Sequence, residues 1–195
     1  YYVNNPTDPT AIRFKLQFEQ ISGNRGEVAN VLRNVESIRP LTGEHIVILV
    51  DGYRYLAQGP TDQTVDKQSW EKVEHWARQL VEQSPEMTAA RIWLADAMLA
   101  LGKDEEVKEM LSTLREQYPN SADVEVLLGR LYTQRQQFDQ AREVLESAID
   151  SDPENMQARL LLARALAGLS MADDALEQVN YVLDKEPKNV GAHAL

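Results

Sequence analysis

The chain has no cysteine among its 195 residues, so disulfides and thiolate metal sites are excluded. It also has no apolar run of about 18 residues, the length that a membrane-spanning helix needs. One of the longest apolar stretches, residues 46–50, is predicted to be a buried segment of helix. No signal peptide is recognisable at the start of the sequence. We therefore expect no direct insertion of this segment into a membrane.

Basic residues are also scarce. The chain has 20 Lys and Arg against 31 Asp and Glu, which gives a formal net charge of −11. An acidic surface repels phosphate backbones, so we expect no nucleic-acid partner. The negative charge either serves solubility alone or attracts a basic partner, and the sequence leaves both interpretations open.

Residue patterns that carry catalytic or metal chemistry are missing as well. The three histidines, His45, His75 and His193, lie far apart, and the residues around His75 lack the H-E-x-x-H spacing of a zinc helix. Residues 150–154 lack the glycine and the distal glutamate of a calcium loop. No nucleophile motif and no phosphate-binding glycine loop is present. We expect no metal, no cofactor and no catalytic function in this segment.

The sequence does contain a fixed period. Pro85, Pro119, Pro153 and Pro187 are spaced 34 residues apart, and the residues between them repeat in phase. A period of 34 is typical of a helix–turn–helix unit that stacks on copies of itself. Each proline is expected to end the second helix of its unit, because proline cannot continue a helix.

The unit 122–155 shows the pattern most clearly. Gly129 is expected to let the first helix approach the second, since glycine has no Cβ. Ala141 and Ala148 lie seven residues apart, on one face of the second helix, and their small side chains allow close packing. The remaining pattern residues of the unit are Leu128, Tyr132, Phe138 and Leu145.

This order of residues resembles the tetratricopeptide repeat, in which L-G, Y, A, F, A and P recur at these positions. The resemblance implies an all-α fold, a right-handed superhelical solenoid of antiparallel helix pairs, each made of a helix A and a helix B. It covers five units and suggests a piece of a longer bacterial array, with the compartment open between the cell envelope and the cytoplasm. The predicted boundaries are 1–8 for an irregular lead-in, 9–42, 45–87 with an insertion near 60–68, 88–121, 122–155 and 156–189 for the units, and 190–195 for the start of a truncated sixth unit.

The resemblance also implies where a partner binds. In tetratricopeptide arrays the A helices line a concave groove, and positions 5, 9 and 12 of each unit face it. Position 5 corresponds to Leu49, Ile92, Val126 and Leu160; position 9 to Tyr53, Asp96, Arg130 and Arg164; and position 12 to Leu56, Leu99, Thr133 and Ala167. An apolar ladder flanked by charge is therefore predicted along the groove, although a neighbouring A helix is able to bury part of position 5.

These features predict a non-catalytic scaffold that binds a peptide or helical segment of another protein in the groove. Two alternatives stay open: a module that self-associates into a homo-oligomer, and a docking arm of a larger enzyme or of an envelope secretion or exopolysaccharide export assembly. Trp70, Trp76 and Trp93 fit core packing, and the alternative is an aromatic anchor for a partner. The insertion is either a unit-specific contact or an idle surface loop.

Overall fold

A computed structural model describes residues 5–58 and 66–195, and most of the predicted insertion near 60–68 lies outside these residues. The described residues form helices that divide between two compact units, Tyr1–Gly102 (unit 1) and Lys103–Leu195 (unit 2). Unit 1 contains α1 (Pro9–Ile21), α2 (Arg25–Glu36), α3 (Gly43–Ala57), α4 (Lys67–Gln83) and α5 (Thr88–Ala100). Unit 2 contains α6 (Asp104–Gln117), α7 (Ala122–Gln134), α8 (Phe138–Ser151), α9 (Met156–Gly168), α10 (Ala172–Lys185) and α11 (Val190–His193).

Within each unit, helices pack against the helices that follow them in the chain. In unit 1 every helix contacts the next one, and α1 also contacts α3. In unit 2 the same is true of consecutive helices, and α7 also contacts α9. This arrangement is the all-α stacking of helix pairs that the 34-residue period predicts.

The close approach of α7 and α8 depends on Gly129. A Cβ atom built there would overlap the Cγ and Cδ2 atoms of Leu145, closer than any real side chain comes. Ala141 and Ala148, on the facing side of α8, are both completely buried, at 0% exposure. The predicted roles of the glycine and the two alanines are confirmed.

One turn position has the same unusual backbone in four places. Gly23, Gly102, Gln136 and Ser170 follow α1, α5, α7 and α9, and all four have a positive φ, between 58° and 73°. Glycine adopts this left-handed conformation readily, whereas glutamine and serine do so at a cost. The chain therefore reverses direction between helix A and helix B by the same backbone geometry whatever the residue.

Asparagine and threonine side chains fix where several A helices begin. Asn155 accepts a hydrogen bond from the amide of Ala158 at 2.9 Å, which caps α9. Thr42 and His45 form a capping box at the start of α3. As a result α3 begins at Gly43, and Gly43 and Glu44 lie in its first turn.

The tryptophans of unit 1 contribute to its interior. Trp70 and Trp76 are buried, and Trp76 Nε1 donates to Glu36 at 3.3 Å, while Trp93 is partly exposed. None of the helices in residues 5–58 and 66–195 combines the length and the apolar character that crossing a bilayer requires. In the same part of the chain, no three histidine, aspartate or glutamate side chains are grouped to hold a metal ion.

Candidate binding surface

The predicted groove residues of unit 2 lie on two helices that contact each other. Arg130 and Thr133 are partly exposed on α7. On α9, which α7 contacts, Leu160 is partly exposed and Arg164 is exposed. Arg130 and Arg164 both place a guanidinium group on this surface. We call these four residues the α7–α9 surface. It combines one accessible leucine with two cations, and together with Ala167 it is the accessible part of the predicted groove within unit 2.

Each of the uncharged residues on this surface is tied to the fold. Leu160 packs against a small core cluster that includes Ala163, Val182 and Ala192, so only part of its side chain faces solvent. Thr133 Oγ1 donates to the carbonyl oxygen of Gly129 at 2.7 Å, which holds its methyl group in one orientation. The surface is therefore well ordered before any partner arrives.

Six of the twelve predicted groove residues are buried, and only the side chains of Ile92, Arg130, Thr133, Leu160, Arg164 and Ala167 are accessible to a partner. The exposed fractions of the buried six are 0% for Leu49, 1% for Leu99, 4% for Val126, 6% for Asp96, and 8% for Tyr53 and Leu56.

Asp96 of α5 forms an ion pair across unit 1. Its Oδ2 atom lies 3.4 Å from Nη2 of Arg54, on α3, and the aspartate is almost completely buried. The sequence pattern assigned the charge of Asp96 to the groove but did not indicate Arg54, because 42 residues separate the two and no spacing rule connects them. The guanidinium group of Arg54 thus neutralises the negative charge of Asp96 inside unit 1.

Tyr53 of α3 faces the second helices of unit 1. The ammonium of Lys72 of α4 lies 5.9 Å from its ring centroid. Burial is the largest cause that raises the pKa of Tyr53 above its ordinary value, and the charge of Glu36 adds to the effect. Tyr53 is thus buried on α3 close to charged side chains of α2 and α4.

Glu125 of α7 occupies a position at which the repeat pattern has a large apolar residue. It is 2% exposed, and its Oε1 atom accepts a hydrogen bond from Arg115 Nε of α6 at 2.9 Å. Its second oxygen, Oε2, is buried and has no hydrogen-bond partner among the described residues. Glu125 therefore links α6 to α7 in place of an apolar contact.

Two family models match the sequence, one over residues 77–131 and one over residues 126–193, and both describe the tetratricopeptide repeat. Together they cover more than half of the chain. The chain belongs to the tetratricopeptide repeat family. No protein with a curated description matches the sequence.

Solved structures of tetratricopeptide repeat proteins share this fold. A thermophilic TPR protein of Thermus thermophilus is 18% identical, with a TM-score of 0.71, over 94% of this chain and 95% of that one. Residues 41 to the end of MamA from Desulfovibrio magneticus RS-1 are 17% identical, with a TM-score of 0.57, over 91% and 96%. YrrB, described as a TPR protein with an unusual peptide-binding site, is 15% identical, with a TM-score of 0.55, over 99% and 94%.

Proposed function

We propose that this tetratricopeptide repeat protein is a non-catalytic scaffold, and that its α7–α9 surface binds a segment of another protein. The observation that carries the proposal is the contact between α7 and α9, which brings Arg130, Thr133, Leu160 and Arg164 onto adjoining helices. A continuous surface of two adjoining helices suits an extended or helical segment. YrrB, a protein with the same fold, is described as having a peptide-binding site, which supports this class of ligand.

The chemistry of the surface indicates what the segment contains. Leu160 offers an apolar contact, and the guanidinium groups of Arg130 and Arg164 attract carboxylates on the partner. Because such charges are partly solvated, they steer orientation and association rate more than they add affinity. The expected partner segment therefore has an apolar residue flanked by Asp or Glu.

A site-specific crosslink tests where the partner sits. A photo-reactive amino acid replaces Thr133 in one variant and Gln140, an exposed residue of α8, in the other. Crosslinks are formed in the cells that naturally make the protein, and the attached segment is identified by mass spectrometry. We expect a discrete product from position 133 and none from position 140. A product from position 140 alone contradicts the proposal.

The identified segment is then titrated against charge variants. Arg130→Ala with Arg164→Ala should weaken binding by about tenfold at low salt. The loss should be smaller at high salt, because salt already screens the attraction between the two arginines and the partner's carboxylates. The matched control is Lys108→Ala with Lys188→Ala, which removes the same charge from exposed residues elsewhere in unit 2. Equal affinities for the two double variants exclude the two arginines from the site.

A specific feature of α1 favours self-association as a second candidate function. Phe14, Phe18 and Ile21 are 67%, 66% and 89% exposed, and their spacing puts them on one face of the helix. The opposite face, with Ile12 and Leu16, is buried in unit 1. A helix with two apolar faces, one of them in solvent, marks a place where another protein surface packs.

A further inference from the structure

Unit 2 also has a recess, and none of the α7–α9 surface residues lines it. It is a cavity of about 380 Å³ bordered by α8, α9 and α10. Leu162 and Leu166 of α9, together with Ile149 of α8 and Met171, give it an apolar floor. Its size is at the lower end of protein ligand pockets, which run from about 300 to 1,000 Å³. We call it the α8–α10 pocket.

The pocket and the α7–α9 surface use opposite faces of α9. Leu160 and Arg164 follow one another at a spacing of four, and Leu162 and Leu166 do the same. At 3.6 residues per turn, residues 160 and 162 point about 200° apart around the helix axis. The two surfaces are therefore separate, and a ligand in the pocket leaves the α7–α9 surface free.

Carboxylates surround the apolar floor. Glu146 and Asp150 lie one turn apart on α8, and Asp174 and Glu177 lie one turn apart on α10. All four are exposed, and within residues 5–58 and 66–195 no ion pair or side-chain hydrogen bond satisfies any of them. Like charges at spacings of three and four disfavour a helix slightly, so a cation bound between them relieves repulsion.

The nearby cations are already engaged. Arg159, which also lines the pocket, donates from Nη1 to Gln178 at 2.9 Å and from Nη2 to the carbonyl of Pro153 at 2.8 Å. Its guanidinium carbon also lies 3.6 Å from the ring centroid of Tyr181. Arg142 of α8 is directed at the sulfur of Met171, 3.7 Å from Nη1. Four carboxylates thus line the cavity, together with one guanidinium group that is already hydrogen-bonded elsewhere. The lining therefore carries an excess of negative charge.

We infer that the α8–α10 pocket binds an arginine side chain of a partner protein, in a segment where apolar residues flank the arginine. The methylene stem packs on Leu162 and Leu166, and the guanidinium group pairs with carboxylates from α8 and α10. Arginine fits this arrangement better than lysine, because its planar head has five donors and is weakly hydrated. The apolar floor supplies contact area and the acidic rim supplies complementary charge.

Two peptides test the role of charge. The probe is a fluorescein-labelled peptide of sequence Gly-Ala-Leu-Arg-Leu-Ala-Gly, and its counterpart carries citrulline in place of arginine, which keeps the shape and removes the charge. Fluorescence polarisation with the whole chain should show at least about tenfold tighter binding of the arginine peptide, and that binding should weaken with salt. Equal binding of the two peptides, or no binding of either, overturns the inference.

Matched protein variants locate the site. The double variant Glu146→Gln with Glu177→Gln lacks one carboxylate on each side of the pocket. Its affinity for the arginine peptide should be about tenfold lower. The control is Glu143→Gln with Asp184→Asn, exposed residues of the same two helices that do not line the cavity. Methyl resonances of Ile149, Leu162 and Leu166 should shift when the peptide binds. Shifts confined to Leu160, or equal losses in both double variants, place the peptide elsewhere and reject the pocket.

Discussion

At the scale of single residues, backbone conformation matters more than residue type at the turn between helix A and helix B. Gln136 and Ser170 adopt the left-handed geometry that Gly23 and Gly102 adopt elsewhere. Two repeats thus have a residue other than glycine at this turn, and the turn keeps the same conformation. Two positions therefore carry conformational strain that a single substitution is able to remove.

Gln136→Gly should stabilise the protein by about 1 kcal/mol, because the left-handed conformation is unfavourable for a residue with a Cβ. Gln134→Gly is the matched control. It makes the same exchange two residues earlier, at the end of α7, where glycine weakens a helix. Chemical denaturation should show opposite changes in the free energy of unfolding for the two variants. A loss of stability in both contradicts the assignment of strain to position 136.

Glu154 gives a residue-scale prediction that depends on pH. Tyr181 Oη donates to Glu154 Oε1 at 2.9 Å, and this hydrogen bond, followed by the charge of Lys185, lowers the pKa of the carboxyl group. Because the pKa is lower in the folded state, the ionised carboxylate stabilises the fold. This stabilisation is complete above the ordinary pKa and is lost as the pH falls through the lowered pKa. Carboxyl carbon shifts measured against pH should show the pKa rising in Tyr181→Phe, and rising by less in Lys185→Gln. An unchanged titration in Tyr181→Phe contradicts the geometry.

At the scale of helices, the packing of α7 against α8 was predictable and the exposure of the groove was not. The 34-residue period places Gly129, Ala141 and Ala148 at the contact, because small residues at a fixed helical spacing allow two helices to pack closely. Exposure depends instead on which neighbouring helix covers a position. The period carries no information about that. The resemblance to the repeat family therefore placed Leu49 and Val126 in the groove, although both are buried.

Gly129→Ala tests the contact between α7 and α8. The added methyl would overlap the side chain of Leu145, and overpacking of this kind costs about 1–3 kcal/mol. Gly43→Ala, in the first turn of α3, serves as the control because a Cβ there meets no atom within 4 Å. Thermal melts should show a clear loss for the first variant and none for the second. Equal melting temperatures in all three proteins contradict the close approach.

Long-range polar contacts were the part of the site that the sequence could not reveal. The pairs Arg54–Asp96 and Arg115–Glu125 each join two helices, and neither follows a helical spacing. Arg25 of α2 is a third case: it donates to the carbonyl oxygens of Tyr55, Leu56 and Gln58 and so caps the end of α3. Such contacts follow from the packed geometry, and they appear only when the helices are in place.

At the scale of the molecule, the exposed apolar face of α1 offers a test of whether the scaffold acts as a monomer or self-associates. Phe14→Gln with Phe18→Gln should lower the sedimentation coefficient at high protein concentration, because it removes the apolar contact that a second copy would cover. Leu176→Gln, which changes a single exposed leucine of α10, should leave sedimentation unchanged. If the unaltered chain sediments as a monomer at every concentration, self-association is excluded.

The order in which helices contact one another also has a kinetic consequence. Every substantial contact within a unit joins helices one or two places apart in the chain, so no long loop has to close before the contact forms. Folding should therefore be fast for a chain of this length, and opening should begin at an outer helix such as α1 while α3 stays protected. A partner that binds α7 and α9 together would link two helices that already contact each other. Binding would therefore slow the rate at which unit 2 opens.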